Sequence, residues 1–399
     1  MTHKVTRRGL LTGAVSAAVL GASAKSAHAQ SSDTTKYPGG PPTELGLRSP
    51  HEPLRRPTTG RVVSRTPHQD LLGTITPSDL HYERHHAGIP EVDPATYRLL
   101  VHGMVERPLM FTLDDLKRFQ AVSRIAFLEC SGNYGRNAGP DSKPEQICGL
   151  TSQSEWTGVA LSTLLREVGA SPDATWFLAE GQDAAVMTRS VPIEKAWDDA
   201  MVAYGQNGEP IRPGQGYPVR LFLPGWEGNA NVKWLRRIEL SDQPFMTREE
   251  TSKYTDPLAD GTARQFSLTF DARSIVTRPA YPEIIQPGWV EIRGIAWSGR
   301  GAIARVEIST DGGQHWTNAR LQEPVLSKAH ARFRHLWHWD GAEADILSRA
   351  VDETGYVQPT REALRAVHGR RARGYHLNPV TGWTVRPDGH VFYKEEAPW

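Results

Sequence analysis

The spacing of hydrophobic and polar residues changes near residue 245 of the chain. Before this point, Thr112 followed by Asp115 predicts a capped helix that begins at Leu113, and residues 161–168 have helical apolar spacing that ends at Gly169. Stretches rich in β-branched and aromatic residues predict strands between these helices, over residues 97–102, 125–128, 176–179 and 219–223. We therefore predict a mixed α+β domain over residues 71–245.

After residue 245 the chain alternates between apolar and polar positions in short stretches, and turn residues such as Asp311-Gly312-Gly313 follow. Three stretches have the alternation or aromatic content of strands: residues 289–297, 304–308 and 331–340. Short alternating strands separated by turns are typical of an immunoglobulin-like β-sandwich. We predict this architecture for residues 246–399, which makes the fold class α+β with a second, all-β domain.

The N-terminal residues have the composition of an export signal. Arg7 and Arg8 precede a mildly apolar stretch, and Ala27-His28-Ala29 fits a small-x-small cleavage site. Residues 6–11 resemble a twin-arginine signal, and an ordinary secretory leader is the alternative. We expect residues 1–29 to be removed and the mature protein to be periplasmic. The twin-arginine route carries proteins that are already folded, often around a cofactor.

Length and charge narrow the remaining possibilities. The chain has 399 residues, enough for two domains with full cores. Its net charge of +1 shows no excess of the kind that binds nucleic acid. Residues 30–70 are rich in Ser, Pro and Gly and predict an extended N-terminal arm. No later stretch has the roughly 20 apolar residues of a membrane span.

Cys130 is the most informative residue for chemistry. It ends a predicted strand and opens into a flexible loop, Ser131-Gly132-Asn133, where a large ligand can approach the backbone closely. A thiolate is a soft ligand for a transition metal. From the residues alone, a disulfide with Cys148, an acyl-transfer nucleophile and an inert thiol remain equally open.

Four segments, taken in order, resemble the sulfite oxidase family of molybdenum–pterin enzymes. Cys130-Ser131-Gly132-Asn133 matches the C-A/S-G-N loop whose cysteine binds molybdenum. Residues 76–86 are similar to the segment that contacts the pterin and places an arginine beside the metal. Residues 216–220 and 231–235 are similar to the run that binds the pterin phosphate, and residues 309–316 with 356–359 resemble the dimerisation domain.

The resemblance implies roles for individual residues. Cys130 would bind molybdenum, and Arg84 would orient an oxyanion of sulfur. The residues implied to contact the pterin are Tyr82, Arg84, His85, His86, Gln215, Arg220, Asn231, Val232 and Lys233.

Arginine and lysine are the residue types that meet phosphate, although surface salt bridges are the alternative for Arg220 and Lys233. Arg136 and Arg189 are candidates for the same cationic pocket, and a solvated loop charge is the alternative for each. Zinc at His85 and His86 is not expected, because adjacent side chains on a strand point to opposite faces.

The substrate pocket departs from the pattern for free sulfite. Residues 187–192 lack the family's oxyanion tyrosine, Gln215 stands in place of a histidine, and Asn378 stands in place of an arginine. These changes, with residues 149–158, 224–229 and 243–255, are similar to the sulfane dehydrogenase branch of the family. That branch oxidises a sulfane sulfur held on a cysteine of a carrier protein during thiosulfate oxidation. The first alternative is a sulfite dehydrogenase that acts on free sulfite. The second is a methionine sulfoxide reductase of the same fold.

The implied reaction is oxygen-atom transfer to sulfur, which leaves two electrons on the metal. The chain has no C-x-x-C-H haem site and only two cysteines, so a cytochrome c subunit is the implied electron acceptor. The dimerisation domain implies a homodimer. If Cys130 is a metal ligand, Cys148 is expected to be unpaired and replaceable. A periplasmic binding or assembly protein that has the fold without the cofactor stays open as a non-enzymatic alternative.

Overall fold

The computed structural model describes residues 38, 40–52, 54–135, 137–369 and 375–394. The predicted export signal and the candidate Arg136 therefore lie outside the described residues. The chain divides into two units, Met1–Pro53 and Leu54–Trp399. The described residues of the first unit are exposed and contain turns and bends without helix or strand. Across the described residues, no helix is both long and apolar enough to cross a membrane.

Strands dominate the second unit. Its first half contains β1 Thr58–Thr59, β2 Val63–Ser64, β3 Glu83–Arg84, β4 Leu99–Gly103, β5 Leu109–Phe111, β6 Ala121–Glu129, β7 Thr151–Ala160, β8 Trp176–Gly181, β9 Thr188–Pro192, β10 Met201–Gln206, β11 Glu209–Pro210, β12 Arg220–Phe222 and β13 Leu235–Ser241. Its second half contains β14 Asp256–Pro257, β15 Ala263–Arg264, β16 Arg273–Arg278, β17 Gly288–Trp297, β18 Ile303–Ser309, β19 Thr317–Asn318, β20 Arg320–Leu321, β21 Ala331–Trp339, β22 Ala344–Asp352, β23 Gly382–Val385 and β24 Val391–Tyr393.

Helices are short and few in the part of the chain that the structure describes. They are α1 Leu113–Arg118, α2 Pro144–Cys148, α3 Leu161–Val168, α4 Ile193–Asp198 and α5 Arg361–His368, with a π-helical turn over Glu249–Lys253. Helix α1 begins where predicted, because Thr112 and Asp115 cap each other's backbone N–H groups. Helix α3 ends at Gly169, whose φ of 65° lies in the left-handed region that favours glycine.

Two five-stranded sheets form the first domain, which confirms the predicted mixed α+β class. One sheet has the order β5-β4-β13-β8-β9, and the other has the order β11-β10-β7-β6 with β12 paired to β10. The apolar face of α3, with Leu161, Leu164 and Leu165, packs into the largest core of this domain. A smaller core around Trp156 and Phe222 lies in the second sheet.

Two further sheets form the predicted sandwich. Their orders are β16-β17-β21-β20 and β19-β18-β22-β23-β24, and they share one apolar core. Simple alternation fails at the end of β17, where Ile295, Ala296 and Trp297 are all buried. The cause is contact with the first domain, since Trp297 Nε1 donates a hydrogen bond of 2.6 Å to Glu129 Oε2.

A connecting segment lies between the predicted division at residue 246 and the first strand of the sandwich. The first sandwich strand begins at Arg273. Residues 247–254 instead pack on the first domain, where the buried Glu250 accepts hydrogen bonds from the Arg189 side chain and the Ser190 backbone. This connecting segment reaches the cavity described below.

Candidate active site

Cys130 is held at the point where β6 ends and the chain turns toward β7. The two strands pair from Ala121 with Val159 to Glu129 with Thr151, and the Cys130 N–H donates to the Leu150 carbonyl at 2.9 Å. The strand pair therefore fixes the backbone of Cys130, while its half-buried side chain faces a cavity.

Asn133 shapes the loop behind this cysteine. Its side-chain oxygen accepts from the Leu150 N–H at 2.8 Å, and its Nδ2 donates to Glu129 Oε1 at 2.9 Å. Glu129 also accepts from Trp297, and Arg273 donates to the Asn133 carbonyl. Asn133 therefore both accepts and donates a hydrogen bond within the loop, which an amide side chain can do. Residues of the sandwich support the same loop from outside.

The cavity beside Cys130 has a volume of about 220 Å³. Most of the predicted residues meet here, although Tyr82 and Lys233 are 151 positions apart in the chain. Those that line it are Tyr82, Arg84, His86, Cys130, Gln215, Arg220 and Lys233. A smaller cavity of about 50 Å³ shares Arg84, His86 and Lys233 with the first, and His85, Asn231 and Val232 line it as well.

Arg220 carries a buried positive charge that lacks an acidic partner within the described chain. It is 1% exposed, and its guanidinium donates only to the carbonyls of Gln215 and Asn231, both at 3.0 Å. Its Nε has no hydrogen-bond partner among the described groups. Burial lowers the pKa of Arg220 to about 10. A buried cation in this state calls for an anion.

Lys233 adds a second positive charge to the same place. Its ammonium contacts the carbonyls of Arg84 and Gly214 and lies 2.7 Å from His85 Nδ1. Burial, with a further contribution from Arg220, lowers the pKa of Lys233 to about 7. A bound phosphate would restore the charged form of this lysine by supplying the opposite charge.

Gln215 and Tyr82 hold the strip of chain that faces these cations. Gln215 Nε2 donates to the Tyr82 carbonyl at 2.7 Å, and the Tyr82 N–H donates to Ser152 Oγ at 3.0 Å. Strand β3 follows directly, so that Arg84 and His86 reach the cavity from the same stretch. Burial lowers the pKa of His86, which favours its neutral form.

Arg189 does not line the cavity, contrary to its prediction as a cationic pocket residue. It is 1% exposed, and its Nη1 and Nε lie 2.8 Å and 2.6 Å from carboxylate oxygens of Glu227 and Glu250. Its guanidinium stacks on the Tyr254 ring at 5.1 Å. Two buried carboxylates therefore hold this arginine behind the cavity wall.

Several residues that sequence reasoning did not identify as functional also line the cavity. They are Leu128, Ser131, Gly132, Leu150, Gly228, Asn229, Arg248, Glu249, Lys253, Tyr254 and Tyr375. The Tyr254 hydroxyl lies 3.2 Å from His86 Nε2, and its ring lies 5.3 Å from that of Tyr375. Tyr254 lies in the resembling segment 243–255, but no motif assigns either tyrosine to the cavity, because long-range folding alone brings them to Cys130.

Neither cysteine forms a disulfide. Cys148 is fully buried, and its sulfur accepts from Asn133 Nδ2 at 3.4 Å. Burial raises the pKa of Cys148 to about 12, which keeps this thiol protonated and inert. Burial also raises the pKa of Cys130, although the Gly132 N–H and Arg84 oppose the shift. A bound metal cation would stabilise the Cys130 thiolate directly.

The donor set fits a molybdenum–pterin group. Cys130 offers one soft ligand in an open position, and the unpaired Arg220 with Lys233 offers the charge that a pterin phosphate needs. The backbone also comes close at Gly228, where an added Cβ would lie 2.5 Å from the Glu129 carbonyl oxygen and 3.0 Å from the Tyr82 hydroxyl. Within the described residues there is no cluster of three His, Cys, Asp or Glu side chains for another metal.

Comparison with known proteins identifies the family. Residues 86–249 match the model of the oxidoreductase molybdopterin binding domain, and residues 264–382 match the Mo-co oxidoreductase dimerisation domain. The chain is 30% identical over 369 residues to mitochondrial sulfite oxidase of Mus musculus, covering 82% of this chain and 67% of that protein. It is also 29% identical to the nitrate reductase [NADH] of Ulva prolifera, over 74% of this chain and 39% of that protein.

One solved structure is similar to this chain over most of its length. The crystal structure of the sulfane dehydrogenase SoxCD from Paracoccus pantotrophus is similar with a TM-score of 0.81 and 43% sequence identity, over 92% of this chain and 95% of that one. The fold, the cavity and these matches agree, and they confirm the expected molybdenum–pterin cofactor. The chain belongs to the sulfite oxidase family and is a molybdenum oxidoreductase that acts on a sulfur group.

Proposed function

We propose that this enzyme oxidises a sulfane sulfur held on a cysteine of a carrier protein and passes the electrons to a cytochrome c subunit. The observation that carries the proposal is the match at 43% identity, over nearly the full length of both chains, to a sulfane dehydrogenase. The sulfite oxidases that match are 29–30% identical.

The cavity supports this choice of substrate. Arg189 is engaged by Glu227 and Glu250, and Gln215 hydrogen-bonds to the Tyr82 backbone. Arg220 and Lys233 are assigned to the pterin phosphate, and Arg248 pairs with Glu249 at 2.6 Å, which leaves Arg84 and Lys253 as the further cations on the cavity wall. With Arg189 and Arg248 both paired to carboxylates, the pocket suits a substrate whose affinity comes mainly from the protein that carries it.

The residues of this chain divide the work. Cys130 would hold the metal, Arg84 would orient the sulfur oxyanion by hydrogen bonds as negative charge develops, and Arg220 with Lys233 would anchor the pterin phosphate. When bound, the molybdenum–pterin group accepts two electrons as the sulfur gains an oxygen atom derived from water. The overall change converts R–S–SH and water into R–S–S(O)H, two electrons and two protons. The electrons require a separate acceptor, because the chain lacks a haem-attachment motif.

The direct test compares substrates with the purified, cofactor-loaded enzyme and its cytochrome. We expect sulfane-loaded carrier protein to reduce the cytochrome with a kcat/KM at least about tenfold above that of free sulfite, a difference of about 1.4 kcal/mol in transition-state stabilisation. Efficient turnover of free sulfite, with none of the carrier-bound sulfane, would instead assign the chain as a sulfite dehydrogenase.

We also propose that the protein is exported to the periplasm by the twin-arginine route. Arg7 and Arg8 ahead of a mildly apolar stretch support this location. Replacing both arginines with lysine should leave the protein in the cytoplasm, as measured by cell fractionation. Export of the double variant at the wild-type level would contradict the route.

A further inference from the structure

A closed ring of hydrogen bonds holds the residue that follows Cys130. Asn229 Nδ2 donates to Ser131 Oγ at 3.1 Å and to Glu227 Oε2 at 2.8 Å. His376 completes the ring from the C-terminal part of the chain. Its ring Nε2 lies 2.6 Å from Glu227 Oε2, and its backbone N–H donates to the Ser131 carbonyl at 3.0 Å. The hydroxyl of Ser131 is thus linked through Asn229, and its carbonyl through His376, to the buried Glu227 carboxylate.

The imidazole of His376 is fixed on both sides. Its Nδ1 lies 2.8 Å from Asp256 Oδ2, and its side chain is 11% exposed. Burial alone lowers the pKa of His376, but Glu227 and Asp256 raise it to about 10. The protonated ring donates one hydrogen bond to each carboxylate.

The backbone of His376 has an unusual conformation. Its φ of 54° lies in the left-handed region, which costs free energy for a residue with a side chain. Such a conformation persists where surrounding contacts determine it, and it is frequent at functional sites. Its neighbour Tyr375 lines the main cavity, and an added Cβ at Gly132 would lie 3.8 Å from the Tyr375 ring.

A small cavity of about 20 Å³ lies directly behind the loop, and Glu129, Ser131, Asn133 and His376 share its wall. The loop therefore has space into which it could relax if its anchor were lost. Arg273 and Asn133 support the loop from one side, and the Glu227–His376 pair supports it from the other.

We propose that His376 is a positioning residue for Cys130. It anchors Ser131 through the ring of hydrogen bonds that includes Glu227, and so fixes the direction in which the thiol meets the metal. The His376 imidazole does not line the main cavity beside Cys130, so His376 acts through the loop. This inference depends on the sulfur-oxidising activity of the family and is independent of which sulfur compound is the substrate. Loss of such outer partners of a metal ligand typically costs about ten- to a hundredfold in activity or metal affinity.

The experiment removes the imidazole and then returns it from solution. His376→Gly suits the left-handed backbone and leaves a hole into which free imidazole fits. Three properties of the cofactor-loaded variant would be measured with and without tens of millimolar imidazole: kcat and KM with whichever substrate the wild type oxidises faster, the visible absorption of the metal–thiolate group, and amide exchange in the peptide over residues 130–135. Wild type with imidazole shows whether imidazole alone affects the centre.

His315→Gly is the matched control. His315 belongs to the same domain and pairs with Asp311 at 2.6 Å, but its side chain is 88% exposed and lines none of the three cavities. We expect this control to leave all three properties unchanged. For His376→Gly we expect kcat at least about tenfold lower, an altered absorption and faster amide exchange, each largely restored by imidazole.

Two results would overturn the proposal: wild-type kcat and absorption in His376→Gly, or a loss that imidazole leaves unrestored while amide exchange over residues 130–135 stays at the wild-type rate. If His376→Gly does not accumulate as folded protein, Asp256→Asn removes one partner of the imidazole and keeps the other. We then expect faster exchange over residues 130–135 and a lower kcat, and wild-type values for both would equally overturn the proposal.

Discussion

Two side chains on the cavity wall meet different demands of one cofactor. Cys130 would supply a soft sulfur ligand, and its N–H donates to the Leu150 carbonyl, which fixes its backbone. Arg220 supplies charge that the described protein does not neutralise, since its guanidinium donates to two carbonyls and to no carboxylate. The free protein therefore carries a local electrostatic cost, which the phosphate of the cofactor would offset.

Replacing Arg220 with methionine should abolish most cofactor binding, because the phosphate then loses its forked hydrogen-bond donor. We expect the pterin and molybdenum content per folded chain to fall at least about tenfold, as measured by metal analysis and pterin fluorescence. Arg300→Met is the matched control, since Arg300 is a half-exposed arginine paired with Asp271 at 2.6 Å. Full cofactor content in Arg220→Met would remove the phosphate assignment.

The sequence predicted the cavity residues that belong to contiguous motifs, and missed those that only the fold brings near. Arg84, Cys130 and Arg220 belong to recognisable segments, and the structure places all three on one cavity. Tyr254 lies in the resembling segment 243–255, to which no cavity role was assigned, and His376 belongs to no such segment. Arg189 was expected in the pocket because its charge is visible in the sequence, whereas its two buried carboxylate partners, 38 and 61 residues away, are not.

The β6–β7 strand pair carries Cys130 at the end of β6, and the loop around Gly228 packs directly against that end. The Gly228 N–H donates to the Glu129 carbonyl at 2.5 Å. The sandwich approaches the same strand end from another direction through Trp297 and Arg273. The backbone contact at Gly228 and the hydrogen bonds from Trp297 and Arg273 leave little conformational freedom at the end of β6.

Gly228→Ala should therefore destabilise the protein, because the new Cβ would lie 2.5 Å from the Glu129 carbonyl oxygen. We expect a loss of about 1–3 kcal/mol in the free energy of unfolding, measured by denaturant titration. Gly139→Ala is the control, since nothing lies within 4 Å of a Cβ at that position. Equal free energies of unfolding for the two variants would contradict this prediction, because they would show that the loop around Gly228 accommodates the added Cβ.

The His376 contacts predict a pH dependence of stability. The pKa of His376 is about 10 in the folded protein and about 6.5 when unfolded, so folding favours the protonated ring. The stabilisation is complete below pH of about 6.5 and declines as the pH rises toward 10. The difference in melting temperature between wild type and His376→Gln should therefore shrink from pH 6 to pH 10. A difference that is constant or grows with pH would contradict the assigned charge.

At the scale of the molecule, periodicity predicted the fold class but gave no signal for the contacts of the connecting residues. Alternation over residues 304–308 and aromatic content over residues 331–340 predicted β18 and β21 correctly. The connecting residues 246–272 were assigned to the sandwich because they follow the change in pattern near residue 245. Their attachment to the first domain depends on single buried contacts such as Glu250 with Arg189, which leave no periodic signal in the sequence.

The match of residues 264–382 to a dimerisation domain predicts a homodimer. Light scattering coupled to size-exclusion chromatography should give a mass twice that of the single chain at micromolar concentration. A single-chain mass at tens of micromolar would contradict a stable dimer.

X-ray absorption at the molybdenum edge tests the central claim, that Cys130 is the protein ligand of the metal, most directly. Cofactor-loaded wild type and Cys148→Ser should give the same number of sulfur neighbours around molybdenum, and Cys130→Ser should give one fewer and lose activity. An unchanged sulfur count in Cys130→Ser, or the loss of a sulfur neighbour in Cys148→Ser, would contradict the assignment.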